Sequence, residues 1–215
     1  MKATDSYEEY LKLISFEEGE SFFKAMEASR ELSWKNFGKR IYFYVPSFVR
    51  YNTPYYNNRL TTFPSISLTG DFCALKCKHC SGKILKTMIP VKIPEELVSL
   101  CGKLKEKGCA GCLISGGCFH DASVPLERFI DAIARIKREL DLIIVVHTGL
   151  VSLETARKLK KAGVEAALID VIGSDQTIQE VMQLDVTVED YCRSLENIHN
   201  ADLALVPHIV IGLHF

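Results

Sequence analysis

The chain has 215 residues, 47% of them hydrophobic and 25% charged, with 26 Lys+Arg against 27 Asp+Glu, the composition of an ordinary globular protein. A net charge of -1 without a long block of Lys or Arg excludes a surface built to track a phosphate backbone or a lipid headgroup layer, so neither nucleic acid nor membrane is an expected partner. The opening MKATDSYEEYLKL carries acids where a signal peptide needs an apolar core, and no run approaches the roughly 18 to 20 apolar residues of a membrane span, so the expected location is cytoplasmic.

From the N-terminus, residues 6 to 36 set Tyr7, Tyr10, Leu11, Leu13, Ile14, Phe22, Phe23 and Met26 at helical spacing among charges, which predicts two short amphipathic helices. Tyr and Phe crowd residues 41 to 56, where Pro46 and Pro54 forbid a long helix, and this predicts an extended aromatic segment. After Pro64, strand-length apolar runs alternate with amphipathic stretches. Strands are predicted at 65–69, 112–115, 142–147, 166–171 and 205–213, and helices at 94–106, 125–140, 152–162, 175–184 and 188–199. That alternation predicts an α/β fold on a parallel sheet, whose ligands sit at the C-terminal strand ends. The expected boundary lies near residue 60, with 1–60 a helical and extended segment packing on the core formed by 61–215.

The chain holds eight cysteines, many for a reducing compartment, where clustered thiols read as metal or redox chemistry. Cys73, Cys77 and Cys80 form C-x3-C-x2-C directly after the first predicted strand, between Gly70 and Gly82. Three thiolates this close can hold one face of an iron–sulfur cluster, and the missing fourth ligand leaves one iron open to a small molecule. A rival reading makes Cys77-x2-Cys80 and Cys109-x2-Cys112 the halves of a zinc site. The 28 residues between them exceed the usual spacing of about 15 to 20, and Cys73 is left without a part. Cys101 and Cys192 fall in helical stretches and read as small buried hydrophobes.

The spacing of this loop and its place after strand one resemble the radical S-adenosylmethionine (SAM) superfamily. The resemblance implies a partial (βα)6 TIM-like barrel and a 4Fe-4S cluster on Cys73, Cys77 and Cys80, with SAM on the open iron through its amino and carboxylate groups. It implies reductive cleavage of SAM to a 5′-deoxyadenosyl radical that abstracts hydrogen, fed by an electron donor such as ferredoxin or flavodoxin. His79 stands where the family has a bulky residue before the third Cys, either near the adenine or as a surface residue beside Lys78. Ser115-Gly116-Gly117-Cys118 resembles the family's Gly-Gly-Glu element that receives the SAM amino group. Cys118 replaces the acid, which moves that contact to backbone carbonyls and Ser115. Gly212 matches the element beside the adenine, whereas His208 and Phe215 depart from it. Asp170, which interrupts the apolar run of the fourth strand, suits the ribose hydroxyls or caps the helix near Ser174. His147 ends the third strand as a site residue or a satisfied core histidine.

The runs FPSISLTGDFCALKCKHCSGK, GCLISGGC and VPHIVIGL look like the homologues of biotin synthase, some of which resemble one partner of a two-protein lipoyl synthase. That implies sulfur insertion, a second iron–sulfur cluster, a carrier-protein substrate and a partner radical SAM subunit. The third and fourth strands carry no Cys, so ligands for a second cluster are not visible. An iron–sulfur or zinc module without SAM chemistry is the alternative, and the Gly116-Gly117 and Gly212 elements argue against it. The fifth strand is the last before the chain stops inside an apolar run, so the expected barrel is truncated after strand five.

Overall fold

The computed structural model describes residues 20–42, 52–55, 57 and 61–214. The chain forms two compact units, Met1–Val45 and Pro46–Phe215. In the first, a single 18-residue helix, α1 (Glu20–Phe37), covers the described part of the expected helical stretch. Residues 6–19 of that stretch lie outside the described residues, as do 43–51 and 56 of the extended segment.

Among the described residues, the second unit is built on six parallel strands, β1 (Ser65–Ser67), β2 (Ile89–Pro90), β3 (Gly111–Ser115), β4 (Ile143–His147), β5 (Ala166–Asp170) and β6 (Ala204–His208), in the order β2-β1-β3-β4-β5-β6. Five of them fall where the alternation predicts. The sixth, β2, is an addition: two residues carry no periodicity, and Pro90, which cannot donate a ladder hydrogen bond, sits on the edge strand where that omission is tolerated. The connecting helices are α2 (Pro94–Glu106), α3 (Ile130–Leu140), α4 (Leu153–Lys161) and α5 (Val188–Asn200). Two predicted helices are shorter than their patterns. The 125–140 stretch opens with a 3-10 turn at Leu126–Phe129, and the 175–184 stretch runs from a helical turn, Asp175–Thr177, into a π turn, Ile178–Met182, closed by Gln183 in the left-handed region at φ +57°.

Side chains alternate across each strand, and here the two faces have different neighbours. Ile114, Ile144, Val146, Ala167 and Ile169 are fully buried on the face toward the helices. Leu113, Ser115, His147, Leu168, Asp170 and His208 occupy the other face and line a cavity. The helices return Leu97, Ile133, Ile136, Leu159 and Ile198, all at zero exposure, each burial stabilising by roughly 1.5 to 3 kcal/mol. Cys112 belongs to the helix-facing set and meets Cys101 of α2; both are fully buried. The hydrogen bond between these thiols lowers the Cys101 pKa and raises that of Cys112. Cys192 is half-buried.

Local signals set the ends of these elements. Pro94 at the first position of α2 supplies a fixed φ where no donor is needed. The Ser152 hydroxyl caps α4 by accepting from the Thr155 N–H at 3.1 Å. Ser152→Ala is expected to cost about 1 kcal/mol of stability, read as a lower urea midpoint with unchanged slope. Strand β6 ends at His208, short of the predicted 213, because its partner β5 ends at Asp170 and the last paired residues are Asp170 and His208. No helix among the described residues is long and apolar enough to cross a membrane.

Candidate functional site

A cavity of about 450 Å³ opens at the C-terminal ends of the strands. It is lined by Cys73, Cys77, Cys80, His79, Ser115, Gly116, Gly117, Cys118, His147 and Asp170, so ten of the eleven expected site residues converge. The exception is Gly212. It lies in an exposed turn after β6 with φ +76°, outside the lining, because the strand that was to carry it stops four residues earlier.

The cysteine loop is fixed by backbone hydrogen bonds to two distant elements. Ala74 N–H donates to Cys118 O at 2.9 Å and Lys78 N–H to Val181 O at 2.8 Å. The Cys77 thiol donates to Met182 O at 3.3 Å, and the Cys73 thiol faces Cys118 O at 3.8 Å. The π turn therefore acts as a clamp. A π turn frees backbone carbonyls from the helical ladder, and Val181 and Met182 aim theirs at the loop. Beneath the loop, Gly117 N–H donates to Thr69 Oγ1 at 2.7 Å, while Thr69 Oγ1 donates to Phe72 O at 2.7 Å. A Cβ on Gly117 would lie 2.0 Å from Phe72 O and 2.6 Å from Cys73 Cα. The missing side chain is what lets the loop lie down on the end of β3.

Two of the thiols, Cys77 and Cys80, are linked by a hydrogen bond. A hydrogen bond with Cys77 pulls Cys80 down to about 5 against the cost of its burial, helped by the Gly82 backbone N–H and the His79 charge. The same hydrogen bond raises Cys77, with burial and the neighbouring Cys80 and Cys73 thiols adding to the rise. Such a set is prepared to lose its remaining protons to a metal group. All three thiols are free, and they do not converge to within 4.8 Å as ligands of a single ion would. A cluster spreads its ligands over several irons, so the donor set fits an iron–sulfur cluster better than one zinc ion.

Across the cavity the strand ends supply a second polar group. His147 Nε2 lies 3.4 Å and His208 Nδ1 3.6 Å from Asp170 Oδ1, and the imidazole rings are 5.5 Å apart. Burial would raise the Asp170 carboxyl, but the His147 hydrogen bond and the charges of His147, His208 and His79 outweigh it and hold the group below the ordinary 3.8. Asp170 is not the helix cap; the Ser174 hydroxyl takes that place by accepting from Thr177 N–H. Burial pushes the Cys118 thiol up to about 12 and the Tyr191 hydroxyl likewise to about 12, so both stay protonated. Ser115 donates its hydroxyl proton to His147 O at 3.1 Å.

The sequence reading missed several lining residues. His208 was noted there only as a departure from the family pattern. Met182 comes from the π turn, Leu184 from just beyond its Gln183 cap and Tyr191 from α5, none of which looks unusual as text. Ser65 sits deeper, in register with Leu113, and its buried hydroxyl has no hydrogen-bond partner among the described residues. An orphaned hydroxyl in a cavity wall suits a polar ligand atom.

A parallel partial barrel with three clustered thiols at its C-terminal strand ends defines the class to which the comparisons also lead. Residues 67–214 match the Radical SAM superfamily, and the chain belongs to that family. Membership implies a 4Fe-4S cluster and SAM as cofactors. Among curated relatives, biotin synthase of Leptospira biflexa is 22% identical over 164 residues, covering 74% of this chain and 46% of the relative. Biotin synthase of Geotalea daltonii is 35% identical over 98 residues, 44% of this chain and 28% of the relative. The chain thus spans about half or less of the length of these relatives. The structure of the FeFe-hydrogenase maturase HydG from Carboxydothermus hydrogenoformans superposes with TM-score 0.55 at 19% identity, over 94% of this chain and 44% of that one, a likeness of fold.

Proposed function

We propose that the chain is the core of a radical SAM enzyme that cleaves SAM and directs hydrogen abstraction within the described cavity. The observation that supports this most is the convergence of three free thiols, the Gly116-Gly117 strand end and an ionised Asp170 on one cavity. When bound, the cluster supplies the electron that splits SAM into methionine and a 5′-deoxyadenosyl radical. Cys73, Cys77 and Cys80 would hold it. Ser115, its single proton already donated to His147 O, offers lone pairs to the SAM ammonium. Asp170 accepts from the ribose hydroxyls, and His147 and His208 keep it charged and aimed. His79, at the rim beside Cys80, covers the adenine. Cys118 and Tyr191 stay neutral, and Leu113, Leu150, Leu168 and Leu184 keep water from the radical.

The test is anaerobic reconstitution with iron and sulfide, followed by SAM and dithionite. A brown protein that releases 5′-deoxyadenosine is expected. A colourless protein, or a brown one that leaves SAM intact, overturns the proposal in favour of a zinc or simple iron–sulfur module. Asp170→Asn is expected to weaken SAM binding by roughly 10- to 100-fold, the worth of a hydrogen bond to a charged acceptor. The sign of its pH dependence follows from the lowered carboxyl. The contact is fully present above the ordinary 3.8 and is lost only as pH falls through the still lower folded value. Equilibrium binding of SAM should therefore show no loss from this group across the mildly acidic range.

The finer reading is sulfur insertion of the biotin or lipoyl synthase kind, on a substrate presented by a carrier protein with a partner radical SAM subunit. Its support is the likeness to biotin synthases and the apolar wall, which suits an aliphatic chain. Among the described residues Cys118 is the one further thiol of the cavity, so a second cluster would need ligands from elsewhere. Sulfur gain by an octanoylated carrier protein, assayed with and without a partner subunit, tests it.

A further inference from the structure

Strands β4, β5 and β6 are neighbours in the sheet. Asp170 pairs with His208 in the ladder, and His147 pairs with Leu168, two residues before Asp170. Residues two apart in a strand share a face, so the backbone of three rigid elements sends His147, Asp170 and His208 to one side, where all three line the cavity. Their donor atoms, one from each residue, lie within 4.8 Å of one another, and among the described residues no other three His, Cys, Asp or Glu are so placed. The distances are those of ligands sooner than of ion pairs. A charge-assisted N–H to carboxylate hydrogen bond closes to about 2.7 to 2.9 Å, whereas Asp170 Oδ1 stands 3.4 Å from His147 Nε2 and 3.6 Å from His208 Nδ1. Two ligands about 2.0 to 2.2 Å from a tetrahedral ion are themselves about 3.3 to 3.6 Å apart. The carboxylate oxygen thus keeps from both imidazoles the spacing of neighbouring ligands on one ion.

We propose that His147, Asp170 and His208 bind a divalent first-row transition ion at a site separate from the cysteine loop, its remaining positions open to water or to an oxygen donor of a substrate in the cavity. Two imidazoles and one carboxylate suit zinc or ferrous iron, while magnesium and calcium take oxygen ligands. The three side chains are 23%, 41% and 42% exposed, so an ion enters from the open end without disturbing the core. The site goes beyond the enzymatic reading and does not depend on it. Oδ1 is the oxygen that both imidazoles approach, and the carboxylate has a second oxygen to offer a ribose hydroxyl, so ion and SAM need not share an atom. A cation at these strand ends gives the cavity a fixed anchor for a carboxylate or phosphate oxygen.

The test loads the chain with its cluster anaerobically, removes loose metal by desalting and titrates zinc as the probe, with zinc and iron counted after equilibrium dialysis. The unaltered chain should take one zinc and keep all its iron. X-ray absorption at the zinc edge should show nitrogen and oxygen neighbours at about 2.0 to 2.2 Å and no sulfur shell at about 2.3 Å. His147→Ala and His208→Ala should each weaken zinc binding by at least about 100-fold, since loss of an outer supporting partner alone costs roughly 10- to 100-fold. His199→Ala, at the exposed end of α5, is the control and should bind zinc like the unaltered chain. His208 ends the outermost described strand with its side chain 42% exposed, so if circular dichroism shows His147→Ala unfolded, His208→Ala carries the test. Unchanged zinc affinity in His208→Ala, a sulfur shell on the added zinc, or no zinc bound to the unaltered chain overturns the site. Failure to take up the cluster counts against the enzymatic reading alone, because the zinc lost in His208→Ala is then read against the unaltered cluster-free chain.

Discussion

Replacing Cys73, Cys77 or Cys80 with serine, one at a time, is expected to abolish SAM cleavage and most of the bound iron. The three thiols converge on one cavity, and each is held by a different contact. Cys73 lies against Cys118 O, Cys77 against Met182 O, and Cys80 on Cys77. A serine hydroxyl is a hard donor that stays protonated near neutral pH, whereas iron–sulfur clusters are held by thiolates. The loss should exceed the roughly 10- to 100-fold that removal of an outer supporting partner costs a metal site. Iron and sulfide content, the visible absorbance and 5′-deoxyadenosine release should fall together. Cys101→Ser and Cys192→Ser, on α2 and α5 away from the cavity, are the controls and should keep all three signals. Wild-type iron and SAM cleavage in any one of the first three would remove that residue from the ligand set.

The parallel sheet was legible because its strands are short apolar runs with helix-length stretches between them, and the five longer strands announce themselves that way. The convergence at one end followed from topology. In a parallel α/β sheet every strand delivers its C-terminal end to the same side, so His147 and Asp170 could be placed together once the strands were placed, whereas His208, inside a strand drawn to residue 213, could not. What stayed hidden depends on contacts between distant segments. Strand β2 exists only because Ile89 pairs with Ile66. The π turn reads as ordinary helix, and its value lies in where two carbonyls point. Ser65 looks like any strand residue, and its importance is that nothing among the described residues satisfies its hydroxyl. Gly212 shows the opposite error. A motif in the text was extended along a strand that had lost its pairing partner at Asp170.

The paired glycines give the sharpest separation of two roles that the text merges. Gly116 and Gly117 were read together as a strand end that lets a ligand approach, and both do line the cavity. Their surroundings differ. A Cβ on Gly116 would meet Thr69 Oγ1 at 3.2 Å and Cγ2 at 3.3 Å, a side chain that can yield by a few tenths of an ångström. A Cβ on Gly117 would overlap the backbone of Phe72 and Cys73, and backbone pinned by the Ala74–Cys118 hydrogen bond has no such freedom. Neither glycine adopts a positive φ, so the contrast comes from space alone. Gly117→Ala is expected to lift the cysteine loop from the end of β3, at a cost of about 1 to 3 kcal/mol or more. The far-ultraviolet circular dichroism should stay close to that of the unaltered chain, because the sheet and helices do not pass through this contact. The iron content after reconstitution should drop severely and SAM cleavage with it. Gly116→Ala should keep most of its iron, so the two substitutions differ mainly in cluster uptake. Equal iron uptake by both variants would show that the loop does not depend on the close approach at Gly117. The greater loss at Gly117 would mean that the second glycine of the pair serves the cluster's protein ligands, whatever the first does for SAM.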